Sequence, residues 1–214
     1  MFKKILFFIS LLFVNAIAYA QYQWTLKSDN DGIKVYSSPV HNSRVKALRV
    51  ECSYEANLAQ IVTVLLDVKA CTEWVYHTKS CTLIKQVSPS ELYYYSEISL
   101  PWPVQNRDFV AHLTVTQDPE TKVVTMDGPA VAGLIPAKDG LVRISNSIGK
   151  WTITPIKKDE IHVEYTLQVD PGGNIPAWLV NIFSSEGPVQ SFKSLKEQLK
   201  KPALKNATLH FIKE

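Results

Sequence analysis

Several short signatures of chemistry are missing from this sequence. Its 214 residues hold no Gly-x-Ser-x-Gly elbow, no phosphate-cradling glycine loop and no His-Glu-x-x-His pair. The histidines His41, His77, His112, His162 and His210 are scattered at no ligand spacing, so neither a metal nor another cofactor is expected. Charge of one sign is also scarce. Lys and Arg number 23 against 20 Asp and Glu, and the basic residues are interleaved with acids rather than gathered in a stripe. A nucleic-acid partner is therefore excluded. Beyond residue 20 no apolar run approaches the roughly 20 residues that a membrane-spanning helix needs.

What is present begins with a leader-like segment. Lys3 and Lys4 precede a nearly continuous apolar run from Ile5 to Ile17, and Ala18-Tyr19-Ala20 offers a small-x-small cleavage site. Residues 1–20 thus read as a signal peptide, with Gln21 as the new N-terminus, and the protein is expected to be exported, to a periplasm or to the outside. Loss of Lys3 and Lys4 brings the formal charge of +3 close to neutral. The remainder suits one domain with a substantial core, residues 21–201, followed by a tail at 202–214. A monomer is expected.

Three cysteines in an oxidising compartment allow one disulfide and one leftover thiol. Cys71 and Cys81 are the better pair, spanning the passage from a helix end to a strand start. Cys52 shares strand parity with Leu48 and Val50 and reads as a buried, inert thiol.

The pattern along the chain is mostly that of strands. Ile161, Val163, Tyr165, Leu167 and Val169 alternate strictly with polar residues, which marks a strand with one buried and one wet face. Phe109, Ala111, Leu113 and Val115 repeat that pattern. Further strands are expected at 33–37, 44–54, 80–87, 92–100, 123–127, 141–147 and 150–156, joined by short connections that suit an antiparallel sheet. Asn57 can cap a helix running to Val68, and a second short helix through Trp74 is expected. A long amphipathic helix begins near Pro176, and Gly187-Pro188 should kink or break it. The tail offers room for one short extra strand.

Two stretches carry a family resemblance. Val169-Asp170-Pro171-Gly172-Gly173-Asn174-Ile175-Pro176-Ala177-Trp178-Leu179 resembles the junction between the last strand and the C-terminal helix of START lipid-transfer domains, above all bacterial ones. Leu100-Pro101-Trp102-Pro103 leading to Arg107-Asp108-Phe109-Val110 resembles the loop and strand upstream of it in the same family. The resemblance implies an α+β helix-grip fold, a curved antiparallel sheet wrapped around the C-terminal helix, enclosing an apolar cavity. It implies a lipid or other apolar ligand, no catalysis, and transient membrane contact.

It also projects residues onto the site. Phe109, Ala111, Leu113, Tyr165 and Leu167 from strands, with Trp178, Ile182 and Phe183 from the helix, would line the cavity. Trp102, Leu134 and Ile135 would form its mouth. Some sterol-binding members place an acid and an arginine inside the tunnel. Here Glu97 matches the acid and Leu113 stands at the arginine position, so Glu97 either meets a ligand head or faces solvent or another protein group. The rival reading is a helix-grip enzyme, cyclase or hydrolase, acting on an apolar or aromatic substrate in the same cavity. Asp108 and His112 share one parity and could serve as acid and base, but that parity opposes Phe109, Ala111 and Leu113. Arg107-Asp108 is accordingly expected to have a structural role.

Overall fold

Alternation along the strands builds one large sheet, seen in a computed structural model that describes residues 23–40, 46–173 and 175–214. The leader lies outside these residues, as do the side chains of Trp178 and Ile182. In chain order the strands are β1 (Thr25–Asn30), β2 (Ile33–Pro39), β3 (Lys46–Tyr54), β4 (Thr78–Ser88), β5 (Glu91–Ile98), β6 (Asn106–Gln117), β7 (Val124–Pro129), β8 (Leu141–Arg143), β9 (Asn146–Lys157) and β10 (Glu160–Asp170). Their order across the sheet is β1-β2-β3-β10-β9-β7-β6-β5-β4, all antiparallel, with β8 added in parallel beside β6. The register places Val163 opposite Cys52 on one side and Ile153 on the other, so inward residues form continuous rows across the sheet.

Helices cover the inward face. Helix α1 (Leu58–Leu66) follows a capping box in which Asn57 Oδ1 accepts from the Gln60 N–H at 2.9 Å and Gln60 Oε1 accepts from the Asn57 N–H at 2.8 Å. The N–H groups of Leu58 and Ala59, which the box leaves open, donate to the Glu214 carboxylate at 2.9 and 2.8 Å. Helix α2 (Cys71–Trp74) is a single turn. Helix α3 (Ala177–Leu199) lies along the sheet and buries Leu179, Val189, Phe192, Leu195 and Leu199.

Four features differ from the sequence expectation. The extra N-terminal strand β1 pairs with β2, although Thr25–Asn30 shows little apolar alternation. The stretch 141–147 is two strands rather than one, because the Ile144 N–H is drawn to the Asp108 carbonyl at 2.8 Å and the chain changes partners there. Helix α3 runs through Pro188 without ending, since the missing N–H removes one bond while the buried apolar face on both sides holds the turns in place. The tail forms no strand among the described residues. It makes a 3-10 turn at Pro202–Leu204, buries Ile212 and exchanges two hydrogen bonds between Gln117 and the Lys213 backbone, which brings Glu214 to the α1 N-terminus.

Candidate functional site

Between the inward face of the sheet and α3 lies a cavity of about 670 Å³. Its walls follow strand parity. Phe109 and Leu113 of β6, Tyr165 and Leu167 of β10, and Phe183 of α3 line it, five positions that the sequence also assigns to the wall. Neighbouring strands add positions the sequence reading missed, among them Tyr94 and Ile98 of β5, Met126 of β7 and Trp151 of β9. The same period-two rule would have found them, had β5 and β9 been aligned to β6 and β10 in the correct order.

Ala111 is a correction. It points inward but sits in register with Tyr94 and bridges Ala130, so those neighbours cover its single methyl and it does not reach the space. Glu97 is a second. Tyr94, Ser96 and Ile98 carry the inward parity of β5, which turns Glu97 outward. There it accepts from Lys79 Nζ at 2.8 Å and Asn106 Nδ2 at 3.2 Å, and the lysine hydrogen bond holds its carboxyl below the usual carboxylate range. Of the alternatives for Glu97, contact with other protein groups is the one observed.

Two glycines shape the wall. Gly128 and Gly149 face each other across β7 and β9. A Cβ at Gly128 would come within 2.8 Å of Leu113 Cδ2, and one at Gly149 within 3.1 Å of the Tyr165 hydroxyl. Side chains here would meet the residues that border the space, so their absence keeps it open. Next to this notch Trp151 packs on Tyr165 and Phe192, with ring centroids 4.4 and 5.4 Å away. The Trp74 ring meets Trp151 edge-on at 6.2 Å.

Polar groups near the cavity are mostly committed. Arg107 is 3% exposed and belongs to the lining. Its Nη2 donates to the Gly172 carbonyl at 3.0 Å, its Nε to Pro171 at 3.3 Å and its Nη1 to Gln105 at 2.5 Å. Gly172 and Gly173 adopt positive φ of 65° and 63°, which carries the β10–α3 connection past the guanidinium. Asp108 points the other way, as adjacent strand residues must. Arg143 Nε donates to its Oδ1 at 2.7 Å and Nη2 to its Oδ2 at 2.9 Å. Burial pushes the Asp108 carboxyl up, but the Arg143 hydrogen bonds and charge outweigh burial and hold it below the usual range. Arg143 also donates to the carbonyls of Ile135 and Pro136. Both halves of Arg107-Asp108 are therefore loop clamps, the structural role expected for them.

His112 lies on the outer face. It stacks on Tyr93 at 4.2 Å and meets Glu91 Oε1 at 2.7 Å. It shares no contact with Asp108, and neither group borders the cavity. Cys71 and Cys81 are joined in a disulfide with Cα atoms 6.3 Å apart, tying α2 to β4, and Cys52 is a buried free thiol whose titration burial pushes up to about 12. Among the described residues there is no group of three potential metal ligands and no helix long and apolar enough to cross a membrane.

The expected mouth residues occupy two loops whose ends lie on the lining. Trp102 lies between Leu100 and Arg107 and is 91% exposed. Leu134 and Ile135 lie between Ala130 and Ile144. Leu134 is 51% exposed, whereas Ile135 is half-buried.

A family model described as the START domain matches residues 11–205. The chain belongs to the START domain family. Members of that family bind and transfer lipids and other apolar molecules. A solved StAR-related lipid transfer protein fragment from Xanthomonas axonopodis is similar at 35% identity and a TM-score of 0.76, covering 83% of this chain and 99% of that one. An uncharacterized protein of Pseudomonas aeruginosa is 34% identical over 184 residues, 83% of this chain and 87% of its own length. The phosphatidylcholine transfer protein of Mus musculus is 26% identical over 180 residues, 80% of this chain and 81% of its own. The START family has the helix-grip, α+β architecture, here with a large antiparallel sheet and one long C-terminal helix.

Proposed function

We propose that this START protein holds a lipid or other apolar molecule in the cavity between its sheet and α3, and carries it without altering it. The observation that carries the reading is the wall itself, built from Phe109, Leu113, Trp151, Leu167 and Phe183. Each methylene moved from water into such surroundings contributes about 0.8 kcal/mol, so an alkyl or ring system is retained without reactive groups. Similarity to a phosphatidylcholine transfer protein makes a phospholipid one candidate. A catalytic role for Asp108 and His112 finds its acid and base committed to Arg143 and Glu91 instead.

On this reading the leader-like residues 1–20 direct export, and the carrier works as a monomer in a periplasm or outside the cell. Trp102 and Leu134 are large apolar side chains exposed on loops that border the cavity, and they fit brief insertion into a bilayer interface during loading. The test is native mass spectrometry of protein purified from its host, followed by solvent extraction. A non-covalent adduct that extracts as an apolar molecule is the expected result. Protein with no extractable apolar molecule that also fails to take up lipid from phosphatidylcholine vesicles would refute the carrier reading. Trp102→Ala should slow uptake from vesicles while leaving the thermal midpoint within about 1 °C; unchanged uptake would remove the membrane step.

A further inference from the structure

Resting on the carrier reading, we infer that the hydroxyls of Tyr94 and Tyr165 form a polar subsite inside the cavity that takes an uncharged, oxygen-bearing group of the ligand, a hydroxyl or an ester carbonyl.

Three observations converge on this pair. Both side chains belong to the lining, from β5 and β10, so they reach the space from two sides. Neither hydroxyl has a hydrogen-bond partner among the described residues, whereas Arg107 of the lining and the Arg143–Asp108 pair beyond it are engaged. An enclosed hydroxyl without a partner forfeits free energy that a ligand oxygen can restore. Finally, the wall is cut back beneath one of them. Gly149 leaves room at the Tyr165 hydroxyl that a Cβ would occupy at 3.1 Å, so the oxygen is open to the cavity rather than covered by its own sheet.

Chemistry narrows the class of group. Burial pushes the Tyr94 hydroxyl up to about 12 and raises Tyr165 as well, the latter also through its proximity to Tyr94. Both are therefore neutral O–H donors at physiological pH. The cations of the lining are Lys27, Lys46 and Arg107. Burial and the neighbouring tyrosine, not a cation, act on the titration of the two hydroxyls, and the Arg107 guanidinium is occupied by the carbonyls of Gln105, Pro171 and Gly172. Two neutral donors surrounded by Phe109, Trp151 and Phe192 suit a neutral acceptor, because a full charge set among those rings would lose its hydration.

The test compares two fluorescent probes, a pyrene-labelled alkane ending in a hydroxyl and the same alkane ending in a methyl, titrated into the full mature chain. The hydroxyl probe should bind more tightly, and Tyr94→Phe and Tyr165→Phe should each weaken it about three- to tenfold, the span of one hydrogen bond, while the methyl probe changes less than about twofold. Both variants keep the ring, so circular dichroism and the thermal midpoint should match the wild type. Equal binding of the two probes, with no effect of either substitution on the hydroxyl probe, overturns the subsite and leaves the carrier reading standing. Failure of both probes to bind overturns both.

Discussion

The inward face of one strand behaves in two ways. At the start of β10, Ile161 and Val163 are 1% and 0% exposed and packed on all sides, whereas Tyr165, Leu167 and Val169 further on border the cavity. The same division runs through β9, where Ile153 is fully buried and Trp151, Gly149 and Ser147 face the space. At the packed end α1 and the C-terminal residues supply aliphatic filling for the sheet. At the open end α3 stands across the space without filling it, and polar clamps hold the rim: Arg107 holds the β10–α3 loop and Arg143 the β7–β8 loop. One face therefore serves as core or as binding wall according to what lies over it.

The largest expected effect is on the rim. Arg143→Met would leave the Asp108 carboxylate, 1% exposed, without its partner, and should cost about 3–5 kcal/mol in chemical denaturation. Its acid dependence should also change sign. In the wild type the depressed Asp108 carboxyl contributes stability that is complete above its ordinary value of 3.8 and lost as pH falls through the folded value. In the variant burial dominates and raises that carboxyl, so the protein should instead lose stability as pH rises through the same region. An unchanged pH profile would show that the rim does not depend on this pair.

Next comes the packed end. Ile153→Ala removes a fully buried side chain and should cost about 2–5 kcal/mol, with unfolding still in one transition. Glu214→Ala should cost about 1 kcal/mol or less, because it strips the acceptor from two N–H groups at the α1 N-terminus. The smallest effect is expected at the wall: Leu167→Ala should cost under about 1 kcal/mol, since part of that side chain already faces open space, while weakening retention of an apolar ligand. If Leu167→Ala destabilised the ligand-free protein as much as Ile153→Ala does, the distinction between packed and open ends would collapse.

Much of this was legible in the sequence. Strict alternation in Ile161–Val169 and around Phe109 predicted both strands and the side each residue faces, because side-chain direction in a strand depends only on parity. Asn57 announced the start of α1, since a cap depends only on a side chain and the backbone a few residues on. The wall was only half legible. The family resemblance assigned Phe109, Leu113, Tyr165 and Leu167 to it, but it equally assigned Ala111, which does not border the space. Tyr94 and Trp151 lie on β5 and β9, hairpin partners of β6 and β10, but which of their neighbours border open space rather than packed core depends on the curvature of the whole sheet.

By itself, then, the sequence determined most of the strands, β1 and the break after Arg143 excepted, the capped helix, the amphipathic C-terminal helix and the opposed directions of Arg107 and Asp108, all consequences of local geometry. It also carried the resemblance to the START family in Asp170-Pro171-Gly172-Gly173 and the Trp102 loop. Tertiary structure alone decided that Arg143 would meet Asp108, that Glu97 would turn to Lys79, and that Glu214 would return to cap α1. It alone decided where inward residues stop touching one another and begin to border a cavity. Those outcomes depend on which distant elements come together, and spacing along the chain does not encode the distance between them.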